Sequence, residues 1–136
     1  MRKKFKYQYD SSTGILFKYY YGLISIKDIH SSWDEAILNN TIPKGTRSFI
    51  LDYTAASFDF NVQEYHKIAE YYRNHIEVFK NCKIAIITHT PKDVIIPSLV
   101  ETIDEGYFSK PFYTLEAAID WVLKFDFGLK LNGATD

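Results

Sequence analysis

The pattern of apolar and polar positions opens with a strict alternation near the N-terminus. Phe5, Tyr7 and Tyr9 are separated by polar residues, which is the period of two that a half-exposed strand shows. A turn-forming stretch follows at 10–14, and an aromatic and apolar segment at 15–21 predicts a second strand, which the next glycine should end. We therefore expect the chain to begin with a β-hairpin.

From residue 25 onward, the pattern alternates between helical and strand-like segments. Ser25 and Asp28 have the spacing of a capping box, and apolar residues at steps of three and four then predict a helix. Short apolar runs at 48–52 and 83–88 are typical of strands buried in a parallel sheet. Between them, a regular apolar stripe predicts one long helix over 61–79.

The last third of the chain contains a proline that complicates the pattern. Pro91 suits the first position of a helix, but Pro97 follows, and proline inside a helix removes a hydrogen bond. Either 91–96 forms a separate turn or the helix begins at Pro97. Residues 107–112 then predict a short strand, and Thr114 should cap a final helix.

The order β-β-α-β-α-β-α-β-α predicts an α/β fold. We expect an N-terminal β-hairpin, then alternating β/α units, in a mixed and mainly parallel sheet that helices cover. The length indicates one domain over 1–127, followed by a C-terminal tail at 128–136. The expected core includes Trp33, Ile50, Ala69, Ile84, Ile86 and Trp121.

Several segments resemble the bacterial STAS-like proteins, which share the SpoIIAA-like fold of anti-sigma-factor antagonists. The likeness extends over about 5–125. Segment 111–122 is close to the F-x-x-x-E-E-A-x-x-W-L ending of the uncharacterised members of that family. The other segments that carry it are 14–17, 21–25, 49–54 and 83–87.

The resemblance also implies a function. In the regulatory members, a buried strand ending in Asp leads to a loop with a phosphorylatable Ser at the start of the next helix. This chain has Asp59-Phe60-Asn61-Val62 where the family has Asp-Ser-Ser-Gly, so the switch serine is missing. The resemblance still implies a non-enzymatic protein-interaction module that acts through loop 53–60 and helix 61–79. The candidate partner or ligand residues are Asp52, Tyr53, Thr54, Ser57, Asp59 and His89.

Catalytic alternatives rest on polar residues at the strand ends. Asp52 and His89 follow neighbouring strands, and an Asp–His couple can perform acid–base chemistry. Asp52, Thr88 and Lys110 resemble the phosphoacceptor set of response-regulator receivers, but the acidic pair that holds their divalent cation is missing. The sequence contains no nucleophile, phosphate-loop, dinucleotide or metal-ligand motif. We therefore expect neither enzyme activity nor a metal or cofactor.

A second binding hypothesis comes from the aromatic content, which reaches 17% of the chain. Some SpoIIAA-like folds are pocketed and bind acyl chains, so a small-ligand or lipid-binding domain is the alternative to a protein-interaction module. An apolar cavity of roughly 300 Å³ or more would favour the lipid-binding hypothesis. A closed core beneath the strand ends would favour the interaction module.

Three consecutive tyrosines point to self-association. Tyr19, Tyr20 and Tyr21 lie on one predicted strand, so they must point to both faces of the sheet. Tyrosine tolerates partial exposure and is enriched in interfaces. We expect a two-fold homodimer through the outer face of the hairpin or the long helix, with Tyr20 as the position to probe.

Charge and composition narrow the class of partner. With 16 basic and 17 acidic side chains, the chain lacks the positive field that nucleic-acid binding usually needs. The single Cys82 cannot form an internal disulfide, and no apolar run is long enough to predict a membrane span. The basic start at 1–4 is not followed by an apolar signal core, which indicates a cytoplasmic protein. The partner protein stays unidentified.

Overall fold

The computed structural model describes residues 3–124 of the chain. The predicted tail at 128–136 lies outside these residues, and the single domain over 1–127 stays a prediction. In chain order the elements are β1 (Phe5–Asp10), β2 (Ile15–Ile24), α1 (Ile26–Leu38), β3 (Ser48–Phe58), a 3₁₀ helix (Val62–Tyr65), α2 (His66–Asn74), α3 (Ile76–Phe79), β4 (Lys83–Ile87), α4 (Pro91–Glu101), β5 (Phe108–Phe112) and α5 (Leu115–Leu123).

The five strands form one sheet in the order β1-β2-β3-β4-β5. β1 and β2 pair antiparallel, and every other neighbouring pair is parallel. The predicted α/β class, with a hairpin leading into a mainly parallel sheet, is therefore confirmed.

The two faces of the sheet carry separate apolar clusters. The larger cluster lies under α1, α2, α3 and α4, and the smaller one lies under α5. Alternation along β2 explains the division, because Leu16 and Tyr20 face the larger cluster while Ile15 faces the smaller. Of the six expected core residues, only Trp121 is not buried, because it packs against Phe112 near the rim of the smaller cluster.

The helix starts follow the predicted caps. The Ser25 hydroxyl accepts from the Asp28 backbone N–H at 3.0 Å, and the Asp28 carboxylate accepts from the Ser25 N–H at 3.0 Å. This is a complete capping box. Thr114 accepts from the Ala117 N–H at 3.1 Å at the start of α5.

The single helix predicted over 61–79 is wrong, because the segment is divided into three pieces. A 3₁₀ helix precedes α2, and α2 is separated from α3 by His75, whose φ of −122° and ψ of 38° are not helical. Tyr72 and Phe79 are both buried on either side of this break. The spacing of apolar residues therefore predicts which side chains enter the core. It does not predict the change in backbone direction between them.

Both alternatives for Pro97 are wrong as well, because α4 is one helix with this proline inside it. Pro97 has no N–H to donate to the carbonyl of Asp93, four residues earlier. The proline is itself buried against the larger apolar cluster. Burial of the ring offsets the lost hydrogen bond, so the helix continues.

None of the helices between residues 3 and 124 is long and apolar enough to cross a membrane.

Candidate functional site at the carboxyl ends of the strands

The longest strands of the sheet, β2 and β3, continue together beyond the end of β4. Residues 21–24 of β2 pair with 55–58 of β3, after a register shift at Tyr19 and Tyr21. We call this pair of segments the projecting ribbon. The loop predicted over 53–60 is therefore wrong up to residue 58, as is the predicted end of β2 at Gly22. Gly22 adopts a φ of +83° within the strand, a backbone conformation that its missing side chain permits.

One buried carboxylate anchors the ribbon to α4. β4 ends at Ile87, opposite Asp52, so the rest of β3 has no neighbouring strand on that side. Asp93 occupies this edge instead: its carboxylate accepts from the Ser57 hydroxyl at 2.7 Å and from the Phe58 N–H at 3.2 Å. At 3% exposure, Asp93 is almost completely buried.

Asp93 also completes the N-terminal cap of α4. The Thr90 hydroxyl accepts from the Asp93 N–H at 3.2 Å and donates to the Asp93 carboxylate at 3.1 Å. The sequence at 90–93 predicts a helix cap, because a threonine is followed three positions later by an acidic residue. It does not predict the contact of the Asp93 carboxylate with β3, so Asp93 was not among the predicted site residues.

The first three predicted site residues differ in where their side chains lie. The Asp52 carboxylate accepts from the Thr54 N–H at 2.8 Å, which is a local turn contact. The Thr54 side chain is exposed. Tyr53 is buried and stacks on Tyr20, with 4.1 Å between the ring centroids. Tyr53 therefore belongs to the core, and a partner could not contact it.

The other three predicted residues lie around the tip of the ribbon and the start of α4. The Ser57 hydroxyl donates its hydrogen bond to the Asp93 carboxylate, as described above. Asp59 is exposed, and its N–H donates to the Ile24 carbonyl at 2.8 Å. His89 is exposed, and within residues 3–124 neither a hydrogen bond nor an ion pair joins it to Asp52. The structure does not assemble the predicted Asp–His couple.

The receiver-like residues are not arranged for phosphoryl transfer either. Thr88 is fully buried, with its N–H bonded to the Phe112 carbonyl at 2.9 Å, whereas Lys110 is exposed. Among the described residues, no group of three or more His, Cys, Asp or Glu side chains could hold a metal ion.

A small apolar cavity lies in the core beneath the strand ends. Its volume is about 20 Å³, which is room for about one water molecule. This is far below the roughly 300 Å³ of an ordinary small-molecule site. An acyl chain does not fit in it. Its lining combines aromatic rings with aliphatic side chains, among them Tyr20, Tyr53, Phe58, Tyr72, Ile96 and Pro97.

A second buried ionisable residue, Lys18 of β2, was also missed. Its side chain is fully buried, and its amine donates to the Ser32 hydroxyl at 2.5 Å. The amine lies 3.6 Å from the ring centroid of Trp33 and 4.8 Å from that of Tyr20. Burial holds the pKa of Lys18 well below its ordinary value, because the charged ammonium loses its hydration. We call these surroundings, completed by Phe5 and Tyr7, the aromatic cage.

Two further groups have structural roles. Burial raises the pKa of the Cys82 thiol to about 11, so the reactive thiolate is scarce at neutral pH. The Lys83 amine donates to the carbonyls of Trp121 and Lys124 at 3.0 and 2.8 Å, and this holds the C-terminus of α5.

No protein-family model and no curated protein matches the chain. Among solved structures, an uncharacterised DUF3478-family protein with a SpoIIAA-like fold from Shewanella loihica PV-4 aligns with a TM-score of 0.59 at 15% identity, over 87% of this chain and 91% of that one. The anti-sigma factor antagonist SpoIIAA in its unphosphorylated form aligns with a TM-score of 0.47 at 13% identity, over 89% and 99%. The phosphorylated form of the Bacillus protein SpoIIAA gives 0.47 at 14% identity, over 87% and 98%.

These likenesses are evidence for the fold alone. Of these three structures, only the Shewanella protein aligns with a TM-score above 0.5, so the fold is compared with that structure. Its SpoIIAA-like architecture agrees with the single mixed sheet, whose one antiparallel pair is followed by parallel strands. The chain has a SpoIIAA-like fold.

Proposed function

We propose that this chain is a bacterial, cytoplasmic, non-enzymatic protein-binding module of the STAS-like kind, and that its partner docks on the projecting ribbon. The observation that carries the proposal is the shape and exposure of the ribbon. It extends past β4 and presents Leu23 with 60% of its surface exposed. Thr54, just before the β3 segment of the ribbon, and Asp59, just after it, are exposed as well. An exposed apolar side chain with a polar surround suits the centre of a protein interface.

The chemistry of the same region supports binding over catalysis. A serine nucleophile needs a neighbouring base that removes its proton and is itself oriented by a third group. Ser57 instead donates to a buried carboxylate that already accepts two other hydrogen bonds. This arrangement fixes the ribbon, and it leaves no group in position to activate the hydroxyl.

The arrangement also bears on regulation. A phosphoryl group on Ser57 would place two negative charges beside the buried Asp93 carboxylate, and like charges at that distance repel strongly. Phosphorylation of Ser57 would therefore detach the ribbon from α4. We therefore expect phosphorylation of Ser57 to weaken partner binding at the ribbon.

Two exposed leucines allow a matched test. Leu23→Glu changes the tip of the ribbon, and Leu38→Glu changes the end of α1, where the leucine is 81% exposed. Each tagged variant would be expressed in native cells, and the co-purifying proteins would be quantified by mass spectrometry against the wild type. We expect L23E to lose a specific partner that L38E retains. Equal recovery of every partner by both variants would contradict the ribbon as the docking surface.

Self-association is the second candidate, favoured by aromatic residues on the other face of the hairpin. Phe17 and Tyr19 are half-buried and stack with 6.3 Å between their ring centroids. Tyr20 is buried in the core, so the earlier choice of this residue as a surface probe is wrong. Tyr19→Glu is the informative variant.

Sedimentation at low micromolar concentration tests this second candidate. We expect a species of twice the 15.9 kDa chain mass for the wild type and a monomer for Y19E. Lys80→Glu, at an exposed position after α3, serves as the charge control. A wild-type monomer would remove the homodimer from consideration.

A further inference from the structure

The free edge of β1 is a surface that the proposed function does not use. β1 is the first strand of the sheet and has only β2 beside it. The Tyr21 N–H donates to the Lys4 carbonyl at 2.9 Å, so Lys4 and Tyr21 form a hydrogen-bonded pair. Hydrogen-bonded residues alternate along an antiparallel pair. The backbone groups of Lys6 and Gln8 therefore point to β2, and those of Phe5 and Tyr7 point outward.

Those outward backbone groups have no partner within residues 3–124. An edge with unpaired N–H and C=O groups can pair with another extended chain. The side chains of Phe5 and Tyr7 are half-buried and pack on the larger apolar cluster, whereas Lys6 is exposed. The two sides of the edge thus differ in chemistry.

Two open clefts adjoin this part of β1. The cleft between β1 and α1 has a volume of about 740 Å³, and Phe5, Tyr7, Ala36 and Glu35 are among its lining residues. A second cleft has a volume of about 340 Å³, and Lys6, Phe5 and Tyr21 are among its lining residues. An added strand would find room for its side chains along this edge.

The charges at this edge are predominantly positive. Lys3, Lys4 and Lys6 lie within four positions, and Glu35 is the single acidic residue that lines either cleft. Lys4 is neutralised by Asp28, with 2.9 Å between the amine and the carboxylate. Lys3 and Lys6 have no acidic partner in the described part of the chain.

We propose that the free edge of β1 binds an extended segment of a partner protein in which apolar and acidic residues alternate. The segment adds a sixth strand through the backbone of Phe5 and Tyr7. Its apolar side chains enter the cleft beside α1, and its acidic side chains lie on the opposite side, next to Lys6. Register requires this alternation, because residues opposite each other on paired strands share a face.

A second copy of the chain fits this edge less well. Pairing of two β1 strands would bring a second set of the same lysines into one interface, and each unpaired lysine would lose part of its hydration. An acidic segment neutralises Lys3 and Lys6 instead. Steering by opposite charge also speeds association with such a partner.

The experiment uses the full chain and a fluorescein-labelled octapeptide in which valine and glutamate alternate. Binding is measured by fluorescence anisotropy, with a valine–lysine octapeptide as the charge control. We expect Lys6→Glu to weaken binding of the acidic peptide by about tenfold or more. Lys80→Glu, at an exposed position after α3, should change it by less than about twofold.

Amide hydrogen exchange of the same complex identifies the edge. The peptide should slow exchange at the N–H groups of Phe5 and Tyr7, while those of Lys6 and Gln8, already bonded to β2, should change little. Several results overturn the proposal: no binding at millimolar peptide, equal binding by K6E, or unchanged exchange at Phe5 and Tyr7. Protection of these amides in the free monomer would assign the edge to another segment of this chain. Protection that rises with protein concentration would assign it to a second copy.

The result is separable from the proposed function. Leu23→Glu alters the tip of the ribbon and leaves the outward backbone groups of Phe5 and Tyr7 in place. If L23E binds the peptide like the wild type, the edge of β1 acts independently of the ribbon. If L23E loses the peptide while K6E keeps it, the edge assignment is wrong.

Discussion

Two buried ionisable residues, Lys18 under the hairpin and Asp93 under the projecting ribbon, show opposite ways of removing a charge from water. Asp93 accepts hydrogen bonds from two hydroxyls and one backbone N–H. Lys18 donates to one hydroxyl, and aromatic rings form the rest of its surroundings. Several hydrogen-bond donors compensate a buried carboxylate for the water that it loses. An amine with a single acceptor has less compensation and is easier to bury uncharged.

The difference separates two structural roles. The Asp93 carboxylate joins the ribbon to the start of α4, so its bonds determine the position of the proposed docking surface. Lys18 joins β2 to Ser32 of α1 and contacts Phe5 and Tyr7 of the edge strand. The first residue fixes geometry through directed bonds. The second fills a space between aromatic rings, where an apolar side chain of the same length would also fit.

The largest expected effect comes from removing the carboxylate. Asp93→Ala removes the shared acceptor of the half-buried Ser57 hydroxyl, the buried Phe58 N–H and the Thr90 hydroxyl. We expect the free energy of unfolding to fall by about 3–5 kcal/mol, measured by chemical denaturation. Asp59→Ala, at an exposed position immediately after the ribbon, should change it by less than about 0.5 kcal/mol. A similar small loss for both variants would show that Asp93 does not anchor the ribbon.

Replacement of the lysine should act in the opposite direction. Lys18→Met keeps the length of the side chain and removes the cost of burying an amine in the aromatic cage. We expect the free energy of unfolding at pH 7 to rise by about 1–4 kcal/mol, the range seen when buried ion pairs are replaced by apolar side chains of similar volume. Lys6→Met, an exposed neighbour on β1, controls for the loss of a surface charge. Destabilisation by K18M would show that the amine contributes more than its burial costs.

The pH dependence of stability sharpens this contrast. The folded pKa of Lys18 is lowered from an unfolded value of about 10.5, so between these two values the unfolded chain binds a proton that the folded chain does not. The free energy of unfolding contributed by Lys18 therefore rises with pH and levels off near the unfolded pKa. The advantage of K18M over the wild type should shrink as the pH is raised from 7 towards 10.

Tyr7 and Tyr20 face Lys18, and burial raises both of their pKa values. In the folded protein both tyrosines titrate above this window. K18M retains both tyrosines, so the difference between the two proteins isolates the lysine. Denaturation midpoints at several pH values measure it. A constant difference across the range would show that the pKa of Lys18 is the same in the folded and unfolded states.

The sequence predicted the features that depend on contacts between residues close in sequence, and it missed those that depend on contacts between distant residues. The hairpin, the buried strands and the caps of α1 and α5 were predictable, because periodicity and capping spacing are local signals. The ribbon was missed because Gly22 and the small residues at 54–57 give no strand pattern. Pairing between β2 and β3 decided their conformation instead. Lys18 was read as a polar position on a strand. Its burial depends on Ser32 and Trp33 of α1, which are distant in sequence, so no local pattern predicts it.

The smallest expected effects come from the serine that contacts each buried ionisable side chain. Ser57→Ala removes one of three donors to Asp93, and the carboxylate keeps the other two. Ser32→Ala removes the only hydrogen-bond acceptor of Lys18 within the described residues, so a buried amine is left without a partner. We expect S57A to cost about 1 kcal/mol and S32A about 1–3 kcal/mol in the free energy of unfolding.

The double variant K18M/S32A should recover most of the S32A loss, because the methionine has no hydrogen to donate. A larger loss for S57A than for S32A would mean that the aromatic cage satisfies the amine without the hydroxyl, and the contrast between the two regions would then rest on the rings alone.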